Sequence, residues 1–215
     1  MSQTLLYDLL IASGETLYMV IISTSLAVLL GLPLGTLLFS SAHIKPHPAL
    51  HRLTAGVINF SRSIPFIILL VALIPLTRLL VGTSIGTNAA IVPLTLGATP
   101  FFARLVDNIY QNLARGLIET GFSMGVTSWQ MIRHILLPEG FPALIHAITV
   151  TAITLVNYSA MAGTVGGGGL GDLAIRYGYQ RFNPGIMLAT VIILVIIVQV
   201  LQMSGDKLAK RFNHS

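Results

Sequence analysis

Apolar residues run along this chain in stretches too long and unbroken for a water-soluble core. No Asp, Glu, Lys or Arg occurs from Thr16 to Ile44, Leu79 to Ala103, Gly140 to Gly171 or Phe182 to Gly205. Each stretch reaches the roughly 20 residues that a helix needs to cross a bilayer. A further apolar centre, Ser63 to Thr77, is bounded by Arg62 and Arg78, whose long side chains reach toward the two interfaces. The pattern predicts an all-α integral membrane protein with five spans: Leu17–Phe39, Val57–Val81, Asn88–Leu105, Pro142–Val165 and Gly185–Met203. The short polar turn Gly82-Thr-Ser-Ile-Gly86 folds spans two and three into an antiparallel hairpin. No linker, repeat or separate soluble segment interrupts the chain, so residues 14–204 read as one membrane unit.

Composition sharpens this picture. Hydrophobic residues make up 54% of the chain and charged residues only 9%, against about 25% charged in soluble domains. The amino terminus has no basic residue before its first apolar run and no small-residue cleavage pattern, so the first span is expected to stay in place. Without cysteine there is no disulfide, thiolate metal site or cysteine nucleophile. The net charge of +5 could suggest nucleic acid, but its distribution argues for topology. Lys45, Arg52, Arg104, Arg115, Arg133, Lys207, Lys210 and Arg211 fall in alternate loops on one side. The other side holds Arg78, Arg176 and Arg181, with Arg62 unassigned. The positive-inside rule then puts the amino terminus outside and the carboxyl terminus in the cytoplasm. No nucleic-acid partner is expected.

Between the third and fourth spans lies a polar segment that cannot cross the membrane. It reads Glu119-Thr-Gly-Phe-Ser-Met-Gly125, then nine residues, then Ile135-Leu-Leu-Pro138. Thr127 and Gln130 have capping-box spacing, and Pro138 is expected to end a short helix from about Ser128 to Leu137. On a helical wheel Trp129, Ile132, Ile135 and Leu136 share a burying arc, while Gln130, Arg133 and His134 share the opposite one.

These residues resemble the EAA signature of bacterial ABC importer permeases: a Glu, two small residues, a Gly six positions after the Glu, and an I-x-L-P ending. Thr120 and Gly121 stand where that family usually has two alanines; both are small, so close packing survives. The likeness covers nearly the whole chain. Arg62-Ser-Ile-Pro-Phe-Ile-Ile-Leu-Leu70, Ala90-Ile-Val-Pro-Leu-Thr95, Tyr158-Ser-Ala-Met161, Val165-Gly-Gly-Gly-Gly-Leu-Gly171 and Tyr177-Gly-Tyr179 look like the methionine-importer branch. The resemblance implies a type I importer permease fold with a cytoplasmic coupling helix, in the bacterial cytoplasmic (inner) membrane. It implies that residues 116–138 form the coupling region, with Glu119, Gly121, Gly125, Arg133, Ile135, Leu137 and Pro138 as the ATPase-coupling residues and Gly125 allowing the bend. Two such permease chains would pair as a homodimer, two ATPase subunits would use ATP and Mg, and a lipid-anchored binding protein outside would deliver substrate. This chain itself is expected to bind no cofactor or metal and to carry no catalytic residue.

Other motifs are weaker. Gly166 to Gly171 spells a dinucleotide fingerprint, but it follows a membrane helix and lacks the later acidic residue. A glycine hinge on the outer face, or a plain loop, fits better. His43, His47 and His51 recur every four residues, yet Pro46 and Pro48 forbid the helix that would align them. Gly31 and Gly35 make a small-xxx-small pair that could bring helices close. Asn157, Tyr158 and Met161 lie at bilayer depth in span four, with Arg62 at the start of span two. Helix packing and snorkelling account for them as well as lining a translocation path does. Rival readings are a permease for another polar amino acid, a membrane scaffold without a solute path, and a secondary transporter. Scarcity of embedded acids weakens the last.

Overall fold

The computed structural model describes residues 3–113 and 115–212. Among the described residues every regular element is helical. The order is α1 (Gln3–His43), α2 (Pro48–Ser63), α3 (Phe66–Ala72), α4 (Ile74–Val81), α5 (Thr87–Asn112), α6 (Arg115–Ser123), α7 (Ser128–Gln130), α8 (Leu137–Gly163), α9 (Gly169–Leu173) and α10 (Pro184–Phe212). Wide π turns at Met131–Leu136 and Ala174–Tyr179 join α7 to α8 and extend α9.

Helix α5 is the centre of the bundle: 61% of its apolar window is buried, against 33% for α1 and 17% for α10. Helix α10 therefore turns Leu188, Val191, Ile192, Val195, Ile196 and Val200 outward to lipid. Because lipid is as apolar as leucine, helices associate in a bilayer by close backbone packing at small residues. The α1–α5 contact does this at the Gly31/Gly35 pair. A Cβ on Gly31 would sit 2.9 Å from the Thr99 carbonyl oxygen, and one on Gly35 2.7 Å from Cβ of Val106. Polar groups tie α2 to the same centre. Arg104 donates to Asp107 at 2.9 Å and to Asn59 of α2 at 2.7 Å, while Gln111 donates to Asp107 at 2.9 Å. Asp107, almost fully buried, thus accepts two hydrogen bonds at Oδ2.

Four helices are long and apolar enough to cross a membrane: Leu5–His43, Thr87–Asn112, Ser128–Gly163 and Pro184–Phe212. The second expected span, Val57–Val81, is not one helix. The chain bends by 100° between Pro48–Ser63 and Phe66–Ala72, and the pair makes a fifth crossing only if counted together. Proline explains the break, since the residue before it is forced out of the helical region. Ile64 is extended at φ −83°, ψ 123°, and Pro65 offers no N–H to continue the ladder. Arg62 therefore ends the angled helix α2 and does not begin a straight span.

Pro138 does the opposite of what its sequence suggests. The helix does not stop there but runs on from Ser128 to Gly163. Through Met131–Leu136 the backbone widens so that the Leu137 N–H donates to the Ile132 carbonyl, five residues back. A wide turn removes the clash that an α-turn would place between the proline ring and the carbonyl four residues earlier. It also takes in an extra residue and rotates the wheel. Met131 and Leu136 become the fully buried pair, and Trp129, assigned to the burying arc, is 66% exposed.

Nor is the glycine run a loose hinge. The Gly86 N–H donates to the Gly166 carbonyl at 2.8 Å, joining it to the α4–α5 turn. The Gly169 and Leu170 N–H groups donate to the Glu15 carboxylate at 2.7 Å and the Thr16 hydroxyl at 2.9 Å, so α1 caps α9 from 154 residues away. Gly166, Gly168 and Gly169 hold φ of 86°, 78° and 74°, values that only glycine adopts freely.

The α1–α5 contact yields a direct prediction. Gly35→Val is expected to lower stability by about 1–3 kcal/mol or more through overpacking against backbone. Gly14→Ala, which adds a methyl to open space inside α1, should hold stability or raise it by up to about 1 kcal/mol of helix propensity. Thermal unfolding of the two purified variants in detergent checks the contrast.

Candidate functional site: a polar elbow and an aromatic cavity

Helix α6, a turn at Met124–Thr127 and helix α7 form an elbow built by two local devices. The first is a Schellman closure of α6. The Val126 N–H donates to the Gly121 carbonyl at 3.1 Å and the Gly125 N–H to the Phe122 carbonyl at 3.0 Å, with Gly125 left-handed at φ 72°. The second is the capping box at the start of α7. The Gln130 N–H donates to the Thr127 hydroxyl at 3.3 Å and the Thr127 N–H to the Gln130 side-chain oxygen at 2.9 Å. Gly125 and the Thr127/Gln130 pair thus set the bend that their spacing implied.

The two arms pack through Gly121. A Cβ there would lie 2.7 Å from the Met131 methyl and 2.9 Å from Cδ1 of Ile135, so a small residue is what lets the arms meet. Met131 and Leu136 then drive into the core beside Phe39, Phe102, Val106 and Tyr110. Ile135 and Leu137 are half-buried at this seam, whereas Glu119, Gly125, Arg133 and Pro138 are exposed. Glu119 lines a cavity of about 370 Å³ together with Phe39, His43, Tyr110 and Phe122. The side chain of Arg115, counted above in the cytoplasmic set, lies outside the described residues. Sequence reasoning missed Met131, whose burial depends on the wide turn, and Glu15, whose partner is distant in sequence.

The structure brings Arg62 and Tyr158 to one cavity of about 130 Å³, completed by Ser61, Phe66, Gly97 and Phe101. Phe66 stacks on Tyr158 with ring centroids 4.2 Å apart and 3° between planes. Asn157 and Met161 do not join this cavity; they stand exposed on the adjoining face of α8. A bare asparagine at bilayer depth must face protein or water, because lipid cannot hydrogen-bond it. The three histidines form no metal cluster among the described residues, and His47 is exposed. His43 stacks on Phe39 at 4.6 Å, and the His51 ring lies 3.2 Å from the Leu38 carbonyl oxygen.

This bundle with its polar elbow defines the membrane component of a solute transporter, and the chain belongs to the binding-protein-dependent transport system inner membrane component family, matched over residues 14–214. It is thus a multi-pass inner-membrane transport subunit and not an enzyme. Among its relatives is a probable D-methionine transport system permease protein of Vibrio cholerae, 50% identical over 208 residues, 96% of this chain and 92% of that protein. The D-methionine transport system permease protein of Escherichia coli K12 is 48% identical over 165 residues, 76% of each chain. A chain of the inward-facing MetNI methionine ABC transporter superposes with a TM-score of 0.98 at 45% identity, covering 100% of both chains. An amino acid ABC transporter solved with histidines, 19% identical with a TM-score of 0.76, covers 96% of this chain and 93% of its own, and shows the fold alone.

Two substitutions in the elbow should act in opposite directions. Gly121→Ala is expected to gain about 1 kcal/mol of helix propensity, because the neighbouring side-chain ends can yield. Gly125→Ala is expected to lose about 1–2 kcal/mol, because it forces a side chain into left-handed backbone. Thermal unfolding of both variants measures the signs.

Proposed function

We propose that this chain is the permease subunit of an ATP-driven importer carrying methionine, in the D form, the L form or both, into the cell. What carries the reading is the end-to-end likeness to the methionine transporter chain at 45% identity, together with the methionine-permease relatives. In this reading two copies pair as a homodimer around a central path, two ATPase subunits hydrolyse Mg-ATP beneath them, and a substrate-binding lipoprotein docks outside. The amino terminus lies outside and the carboxyl terminus in the cytoplasm, following the basic loops.

The elbow is the ATPase contact. Exposed Glu119 and Arg133 offer charges to a water-soluble partner, while Gly121, Gly125, Ile135, Leu137 and Pro138 fix the shape that presents them. Nucleotide-driven closure can bias the pore only if this contact differs in energy between inward and outward states. A rigid elbow meets that requirement. Asn157 and Met161 face the path, or the second copy across it, and Arg62 and Tyr158 line its wall.

Two outcomes are expected. Cells lacking their own methionine importer gain uptake of labelled methionine when this chain is expressed with its ATPase and binding protein, and no uptake would refute the substrate. Glu119→Lys reduces uptake at least about tenfold, the scale of one lost charged contact, and releases the ATPase on co-purification. Retained ATPase and normal uptake in that variant would remove the elbow from the coupling role.

A further inference from the structure

Arg62 enters no ion pair among the described residues, although it stands where the second crossing breaks at Ile64-Pro65. Its side chain is exposed in the last turn of α2 and open to an anionic partner. It lines a cavity together with the Ser61 hydroxyl, the phenol of Tyr158 and the apolar side chains of Ile64, Phe66, Leu69 and Phe101. The cavity is made rather than left over. Gly97 has no side chain where a Cβ would come within 3.2 Å of the Phe66 ring, and that ring is held parallel to Tyr158. A charged fork next to a stacked aromatic wall suits an amino acid with a free carboxylate and an apolar, polarisable side chain.

We propose that this cavity is a transit site in which Arg62 binds the substrate carboxylate while the Phe66–Tyr158 pair takes the side chain. The proposal rests on the methionine reading above and adds the residues that select the substrate. A thioether makes favourable contacts with ring edges, and guanidinium matches carboxylate with two parallel hydrogen bonds. Arg62 lies 96 positions from Tyr158 in sequence, so only the 100° bend between α2 and α3 brings the two together.

The test uses liposomes containing the permease with its ATPase and binding protein, and compares uptake of methionine with uptake of methionine amide. The same binding protein serves every variant, so a change in this ratio belongs to the permease. Arg62→Gln is expected to lower the ratio at least about tenfold, as one charge-assisted contact is lost, while ATP hydrolysis stimulated by the binding protein persists. Arg62→Lys should fall between the two, and it carries the same comparison if Arg62→Gln fails to insert. An unchanged ratio in the variants, as expected of an arginine that only reaches lipid headgroups, overturns the proposal. A parallel fall in both uptakes and in hydrolysis, which leaves the ratio unchanged, marks a structural role and overturns it as well. Absence of methionine uptake by the unaltered transporter would instead overturn the substrate reading on which it rests.

Discussion

Lipid supplies no hydrogen-bond partner, so every backbone N–H and C=O within the bilayer must find one inside the protein. Regular helices meet this demand automatically, and the informative places are those where the helix is interrupted. At Pro65 the carbonyl of the proline is taken up at once by the N–H groups of Ile68 and Leu69, at 2.9 and 3.0 Å, which restarts the ladder in α3. At Pro138 a wide turn shifts the ladder to five-residue spacing. At the glycine run Glu15 and Thr16 of α1 stand in for the missing preceding turn. Each break is therefore compensated, and each redirects the chain in a way a straight helix could not.

That compensation explains why a broken second crossing can coexist with a well-packed bundle. Helix α2 leaves the span at 100° but is anchored to α5 by Arg104 through Asn59 and Asp107. A half-exposed pair would contribute little, whereas here the carboxylate is buried and doubly bonded, so removing Arg104 would strand a charge. The angled helix, the core helix and the α1 backbone at Gly31 and Gly35 thus form one unit. The cavity holding Arg62 and Tyr158 lies between that unit and α8.

Much of this was legible from the sequence because it depends on local chemistry. Apolar run length fixed the long crossings, Thr127 and Gln130 announced their capping box, and the spacing of Glu119, Gly125 and Pro138 marked the elbow and its family. Gly31 and Gly35 advertised a close helix contact without naming its partner. What failed did so for identifiable reasons. Proline carries two opposite instructions, breaking the helix at Pro65 and being absorbed at Pro138, and the choice depends on whether the preceding turn can widen. The wheel over residues 128–137 assumed regular α geometry, so it buried Trp129 and overlooked Met131. The glycine run read as a hinge because its restraints, Glu15, Thr16 and Gly86, come from distant parts of the chain.

The widened turn also bears on how motion could travel. Because the helix continues from Ser128 to Gly163, the end of the elbow and the far end of the fourth crossing belong to one rod of about 54 Å at 1.5 Å per residue. Had Pro138 ended a separate short helix, a push at Thr127 would be dissipated in a flexible joint before reaching Tyr158. In the continuous rod, displacement at the elbow end must appear as tilt or translation at the aromatic cavity, unless the turn at Met131–Leu136 absorbs it. That turn is clamped by the burial of Met131 and Leu136 in the core and by Gly121 across the elbow. The seam between the two arms is thus both the hold on the lever and the place where its stiffness is set. A small residue at position 121 is what lets that seam close.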